Sequence, residues 1–261
     1  MHTLSEREIF AGTAYLPLSG VQHGMRLAIL LLAPLLLAAA PDEPGSSRAR
    51  AVALRYAEQS HGVVLFHVAT QTEIHGGPVH RTEQSEAMYL ALDGGFVRKR
   101  YLHFRQNGRD LDAHNLSEKS EETETPLSRF GLRLPYLRAM LGDYRFDAPI
   151  DRGDTIEVPF HALIRDQSHG DGRMLLSRAN DRIERIDETP AVMPPRASSG
   201  SVSVLFGPTV GDRWDIIEID HDFAGHLGPL RGSLHSTTHY DRYVPYADAA
   251  HALSALAASE G

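Results

Sequence analysis

Thirteen of the chain's fifteen histidines follow residue 40, all but His2 and His23. Histidine is the side chain that most readily ligates a metal or moves a proton near neutral pH. His235 and His239 are four residues apart, a zinc spacing when the residues lie on a helix. Their surroundings (Leu234, Ser236, Thr238, Tyr240) read as a strand instead, which separates the two by about 13 Å. His221 and His226 could approach His235 if 213–223 pairs with 230–243, so a secreted metal-dependent hydrolase built on these histidines is the alternative reading. His169 and Asp171 sit in the stretch SHGDG, which reads as a hydrophilic hairpin tip. A histidine beside an aspartate can act as a general base, but no nucleophile accompanies it. There is no G-x-S-x-G, S-x-x-K, H-E-x-x-H or phosphate loop. We expect no catalytic residue, no metal and no cofactor.

The other charged cluster is a basic strand in an acidic protein: Arg98, Lys99, Arg100 and Arg105. By strict alternation Arg98 and Arg100 share a face with Phe96 and Leu102, and Lys99 and Arg105 share the other with Val97 and Tyr101. An arginine beside an apolar cavity can hold a lipid phosphate or carboxylate through paired hydrogen bonds. The expected ligand-binding set is therefore Arg98, Arg100, Phe96 and Leu102, with Val63 and Leu65 from the first strand. The competing expectation is cross-strand pairing with Glu83, Glu86 or the acidic run 118–124.

Composition limits the partners. The formal net charge is −8 and there is no cysteine. An acidic surface repels nucleic-acid phosphates, and the lack of cysteine excludes disulfides and thiolate metal sites. Leu27–Ala40, LAILLLAPLLLAAA, follows Met25-Arg26 and ends in small residues, as a secretory signal peptide does; it is too short to span a bilayer. Residues 1–40 are read as a non-mature segment, with 1–24 a misassigned start and 25–40 the signal. Residues 41–261 are read as one β-rich domain, periplasmic or secreted.

Within it, 46–60 reads as an amphipathic helix capped by Ser46 or Ser47. Residues 61–74 read as a strand buried on both sides, with Val63, Leu65 and His67 on one face and Val64, Phe66 and Val68 on the other. Further strands are expected at 86–91, 96–106, 154–164, 173–178, 182–188, 201–206, 213–223 and 230–243. Pro159 marks an edge or a bulge. Residues 110–125 read as an exposed acidic loop, 127–141 as one or two short helices broken near Pro135, and 246–259 as a closing helix. Eight or nine short antiparallel strands in meander order predict a mainly β fold, a curved sheet or half-open barrel covered by helices.

Phe206-Gly207-Pro208 followed by Gly211-Asp212-Arg213-Trp214, and the strand TTHYDRYVPY at 237–246, resemble the late hairpin and closing strand of the periplasmic lipoprotein-carrier superfamily, the outer-membrane lipoprotein-sorting proteins and their lipid-binding relatives. The resemblance spans roughly 46–245. It implies a half-barrel closed by helices over an apolar cavity that receives acyl chains, and a carrier of lipids or lipidated proteins, with an envelope membrane protein as a further partner. The remaining alternative is a non-catalytic structural partner in an envelope complex, docking through 127–141.

Overall fold

The structure, a computed structural model, describes residues 44–59, 62–92, 95–121, 133–227 and 230–259. The apolar run 27–40 and the start of the 127–141 segment lie outside them.

Helix α1 (Pro44–Gln59) comes first. Strands β1 (Val63–Gly76), β2 (Val79–Leu92), β3 (Gly95–Gln106) and β4 (Arg109–Asp110) follow as a meander, and then helix α2 (Ala113–Glu121). After a 3-10 turn at Arg138–Asp143 come β5 (Tyr144–Phe146), β6 (Ile150–Asp151), β7 (Thr155–Ala162), β8 (Gly170–Ser177) and β9 (Ile183–Pro190). β10 (Ala197–Pro208), β11 (Trp214–Leu227), β12 (Leu230–Tyr246) and α3 (Ala249–Ala258) complete the chain. The strands form one antiparallel sheet in the order β4-β3-β2-β1-β12-β11-β10-β9-β8-β7-β5, with β6 also paired to β7. β4 and β5 do not meet, so the barrel stays open, as the hairpin-rich sequence predicts.

The turns carry the chemistry that hairpins require. Asn107 and Gly108 both have positive φ, 50° and 77°, as a two-residue turn between twisted strands demands. Pro159 is explained by the split neighbour of β7. β5 pairs with residues 160–162 and β6 with 156–157. Pro159, which has no N–H to give, falls in the gap between them.

One expectation is corrected here. Residues 113–121, expected to be loop, form α2. This helix is polar, and contacts with β3 hold it: Ser120 Oγ accepts from the Tyr101 N–H at 2.9 Å, and Lys119 Nζ lies 4.6 Å from the Phe104 ring centre.

The core has two parts on opposite faces of the sheet. The larger joins α1 (Ala49, Val52), Leu134 and Tyr136 to side chains from β1 to β11. The smaller packs Ala252 and Leu256 of α3 on Val63, Leu65 and Leu90. β1 is therefore covered on both sides, as its sequence predicts. Among the described residues no helix is long and apolar enough to cross a membrane.

Candidate functional site

Strand register defines the inner face, the one carrying the larger core. Across it, Val158, Met174, Ile186, Val204 and Ile219 stand side by side on β7 to β11. The same row continues as Thr238, Thr70, Ser85 and Phe104. The first five are apolar and nearly inaccessible to solvent. Adjacent strands lie about 4.8 Å apart, so this unbroken apolar band is roughly 19 Å wide.

The neighbouring row reads Phe160, Gly172, Glu188, Val202, His221, Ser236, Thr72, Glu83 and Gln106. At its open end the polar groups pair: Thr72 Oγ1 meets Ser236 Oγ at 2.8 Å, and Gln106 Nε2 donates to Glu83 Oε1 at 3.1 Å. At its closed end lies Glu188, only 3 % exposed. Neither of its carboxyl oxygens has a hydrogen-bond partner among the described residues. Burial alone pushes this carboxyl up to about 8, because removing a carboxylate from water favours its protonated form. Gly170 of β8 leaves room for the carboxyl, since a Cβ there would stand 3.1 Å from Glu188 Oε2; a Cβ at Gly172, the cross-strand neighbour, would collide with the Asp187 carbonyl oxygen and crowd the Phe160 ring.

A cover lies over this face. Tyr136 is fully buried and meets Tyr56 of α1 and Phe206 of β10 edge-on, with ring centres 4.7 and 5.2 Å apart. Burial raises the Tyr136 and Tyr144 hydroxyls above their ordinary range, and the charge of Glu188, where it is ionised, adds to both shifts. α1 is tied down at the β8–β9 turn, where Arg48 pairs with Asp181 and Arg55 donates to the Asn180 carbonyl.

The residues 133–143 are fastened by His169. Its ring is 2 % exposed; Nδ1 lies 2.8 Å from Asp166 Oδ1, and Nε2 lies 3.3 Å from Asp143 Oδ2. Burial alone would raise Asp166, but hydrogen bonds from His169 and Ser168 outweigh it and bring the carboxyl down to about 2. His169 thus clamps the end of the cover to the β7–β8 connection. This corrects the expectation of a hydrophilic hairpin tip. The partners of His169 are Asp166 and Asp143, while Asp171 accepts from the Ala162 N–H and from Arg165.

An open antiparallel sheet of this length, with helices on both faces, defines the fold. It is similar to the sheet of LolA superfamily proteins. The LolA superfamily protein NE2245 from Nitrosomonas europaea is 13% identical over 78% of this chain and 96% of its own, with a TM-score of 0.44. A domain from Vibrio parahaemolyticus named for outer membrane lipoprotein sorting is 9% identical over 78% of this chain and 94% of its own, TM-score 0.43. A DUF1329 family protein from Desulfovibrio piger is 10% identical over 82% and 99%, TM-score 0.45. No family model and no curated protein matches the chain.

The ligand-binding set read from the sequence is placed mostly elsewhere. Val63 and Leu65 lie under α3, on the outer face. Arg98 and Arg100 pair with Leu90 and Met88, which also belong to that face. Arg100 Nη1 donates to the Leu256 carbonyl, at 3.4 Å, and to that of Ala257, so it caps the C-terminus of α3. Two register shifts between β2 and β3 explain the difference. One leaves Leu102 unpaired between Tyr101 and His103; the other brings Phe96 into register with Ala91. The side chain of Phe96 lies outside the described residues. Lys99, by contrast, is buried on the inner face, its Nζ 5.0 Å from the centre of the Tyr101 ring.

The histidine cluster is not assembled. His235 pairs with Asp222 at 2.7 Å and His239 with Glu218 at 3.0 Å, both on exposed surface. His221 stands opposite Ser236, on the other face from His235. Among the described residues no three potential ligands converge as a metal site would require. Sequence reading passed over Glu188, although its signal is present: Ile186, Glu188 and Pro190 alternate with Arg185, Asp187 and Thr189, which aims an acid at the core.

Proposed function

We propose that this chain is an exported, non-enzymatic carrier that holds an acyl chain, from a lipid or a lipidated protein, between the inner face of the sheet and its cover. The observation behind this reading is the apolar band Val158–Met174–Ile186–Val204–Ile219. It crosses five strands without a polar break. Among the described residues no second sheet lies over it; its cover is α1 and an irregular stretch with Leu134, Tyr136 and Met140 against the core. Separating such a cover needs no strand pairing to break. The apolar run 27–40 supports export, and an envelope membrane protein is the donor or acceptor this reading requires.

Native mass spectrometry of the protein, produced from the full chain in a host with an envelope and purified without detergent, tests the proposal. A co-purifying phospholipid or fatty acid, recovered by solvent extraction, is the expected result. A bare mass, together with failure to take up a fluorescent acyl chain added to the purified protein, would overturn it.

A further inference from the structure

We infer that the ligand of the inner face carries a protonated amine on its apolar chain, and that Glu188 is the side chain that receives it. The inference rests on the carrier reading and names the chemistry of its cargo.

The argument begins with what Glu188 lacks. It is buried in the largest core of the molecule, on the same strand face as Ile186, and both carboxyl oxygens are without a hydrogen-bond partner among the described residues. Buried carboxyls are ordinarily paired or hydrogen-bonded, because an unpaired one loses its hydration with nothing in return. Nearby cations are the usual remedy, and here none offsets the effect of burial on this group. Arg173 and Arg185 point to the opposite side of the sheet, both engaged with Asp187. Arg213 pairs with Asp215 at 3.0 Å. Lys99, the buried cation of the inner face, is on β3, six strands from β9 in the sheet order. His221 is two strands away, about 10 Å along the row.

The sheet neighbours of Glu188 are apolar. Gly172 and Val202 flank it on β8 and β10, Phe160 of β7 stands beyond Gly172, and the carboxyl lies against Gly170. A ligand that parts the cover and lies along the apolar band reaches this acid from the side. An ammonium group favours the ionised form of Glu188 and supplies the counter-charge that the described residues do not. An alcohol supplies only a hydrogen bond, and a fatty-acid carboxylate sets a second negative charge beside Glu188 wherever that group is ionised.

The test compares three amphiphiles of equal chain length, dodecylamine, dodecanol and dodecanoate, by displacement of a fluorescent acyl probe from the purified protein below micelle-forming concentrations, at about pH 9, where Glu188 is ionised and an alkylamine keeps its proton. We expect the amine to bind at least about tenfold more tightly than the alcohol, the low end for close charge pairs, and the carboxylate to bind most weakly. In Glu188→Gln, which keeps the shape and removes the charge, the amine advantage disappears while dodecanol binding is retained. Equal binding of amine and alcohol to the wild-type protein, or an amine preference that persists in Glu188→Gln, overturns the inference and leaves the carrier reading standing. Failure of all three to displace the probe, with no direct binding, overturns both.

Discussion

The two faces of the sheet are closed in different ways. On the outer face, one regular alanine-rich helix lies over β1 and β2. α3 is capped at its start by Asp248, whose side chain accepts from the His251 N–H at 2.9 Å, and at its end by Arg100. Its core is small and aliphatic (Ala252, Leu256, Val63, Leu65, Leu90), with Tyr246 and Met88 packed at its border, and each end of the helix is satisfied. On the inner face, the cover is assembled from α1, aromatic rings and an irregular stretch clamped by one histidine between two aspartates, above an acid with no partner. The outer closure has the features of permanent structure. The inner one joins several separate parts and, among the described residues, keeps a buried carboxyl without a hydrogen-bond partner. Burial alone is thus a poor guide to role, since both faces exclude water equally well.

Four substitutions break or sharpen this contrast. Phe160→Ala removes a fully buried ring from the inner row and should cost about 3–5 kcal/mol in denaturant unfolding. Because the ring lies against Gly172 on the inner face, the loss should be partly recovered when an apolar ligand fills the space.

Next in size is the effect of pH through Glu188. Its carboxyl ordinarily titrates near 4.5 and in the fold near 8. Below about 4.5 both states hold the proton. Between the two values only the folded state does, so stability falls as pH rises through this window and levels off above about 8. The slope is about 1.4 kcal/mol per pH unit at most, and the whole change is on the order of 5 kcal/mol. Glu188→Gln should flatten the profile across this window and stabilise the protein most at its alkaline end, which chemical denaturation at several pH values will show.

Asp143→Asn weakens the clamp on the cover. A loss of about 1–2 kcal/mol is expected, with faster amide exchange in 133–143 and no change in α3. Exchange that rises equally in both covers would erase the distinction drawn between them. Arg100→Gln acts on the other side. It should cost about 1 kcal/mol, measured by thermal unfolding, through loss of the α3 cap, and leave displacement of the acyl probe unaltered.

The fold class was legible because its signals are local. Alternation over 155–162, the β-branched run of β1 and the Asn107-Gly108 turn each specify a strand or hairpin within a few residues. β2 was recognised only from Glu86 onward, since Val79–Ser85 is polar on both faces and has no apolar period to read. The faces were harder than the strands. Alternation assigns Arg98 and Arg100 to a face correctly relative to each other, but which face bears the larger core depends on partners far along the chain. Each register shift between β2 and β3 also reverses the phase for the residues beyond it. α2 was invisible because its stability comes from Ser120 and Lys119 meeting β3. His169 was misread because its burial depends on Asp143, twenty-six residues away.

The margins of the sheet have a consequence for how the protein behaves in a crowded compartment. One margin is β4, two residues long; the other is shared by β5 and β6, three and two residues long, around the proline of β7. The longest strand, β12 at seventeen residues, is interior, but β3 pairs with β4 only at Arg105 and Gln106. A stray extended chain therefore finds little to join at the β5–β6 margin, whereas at the other margin the outer edge of β3 has a helix beside it, with Ser120 of α2 taking the Tyr101 N–H. The two margins thus differ as templates for growth, and α2 guards the longer one.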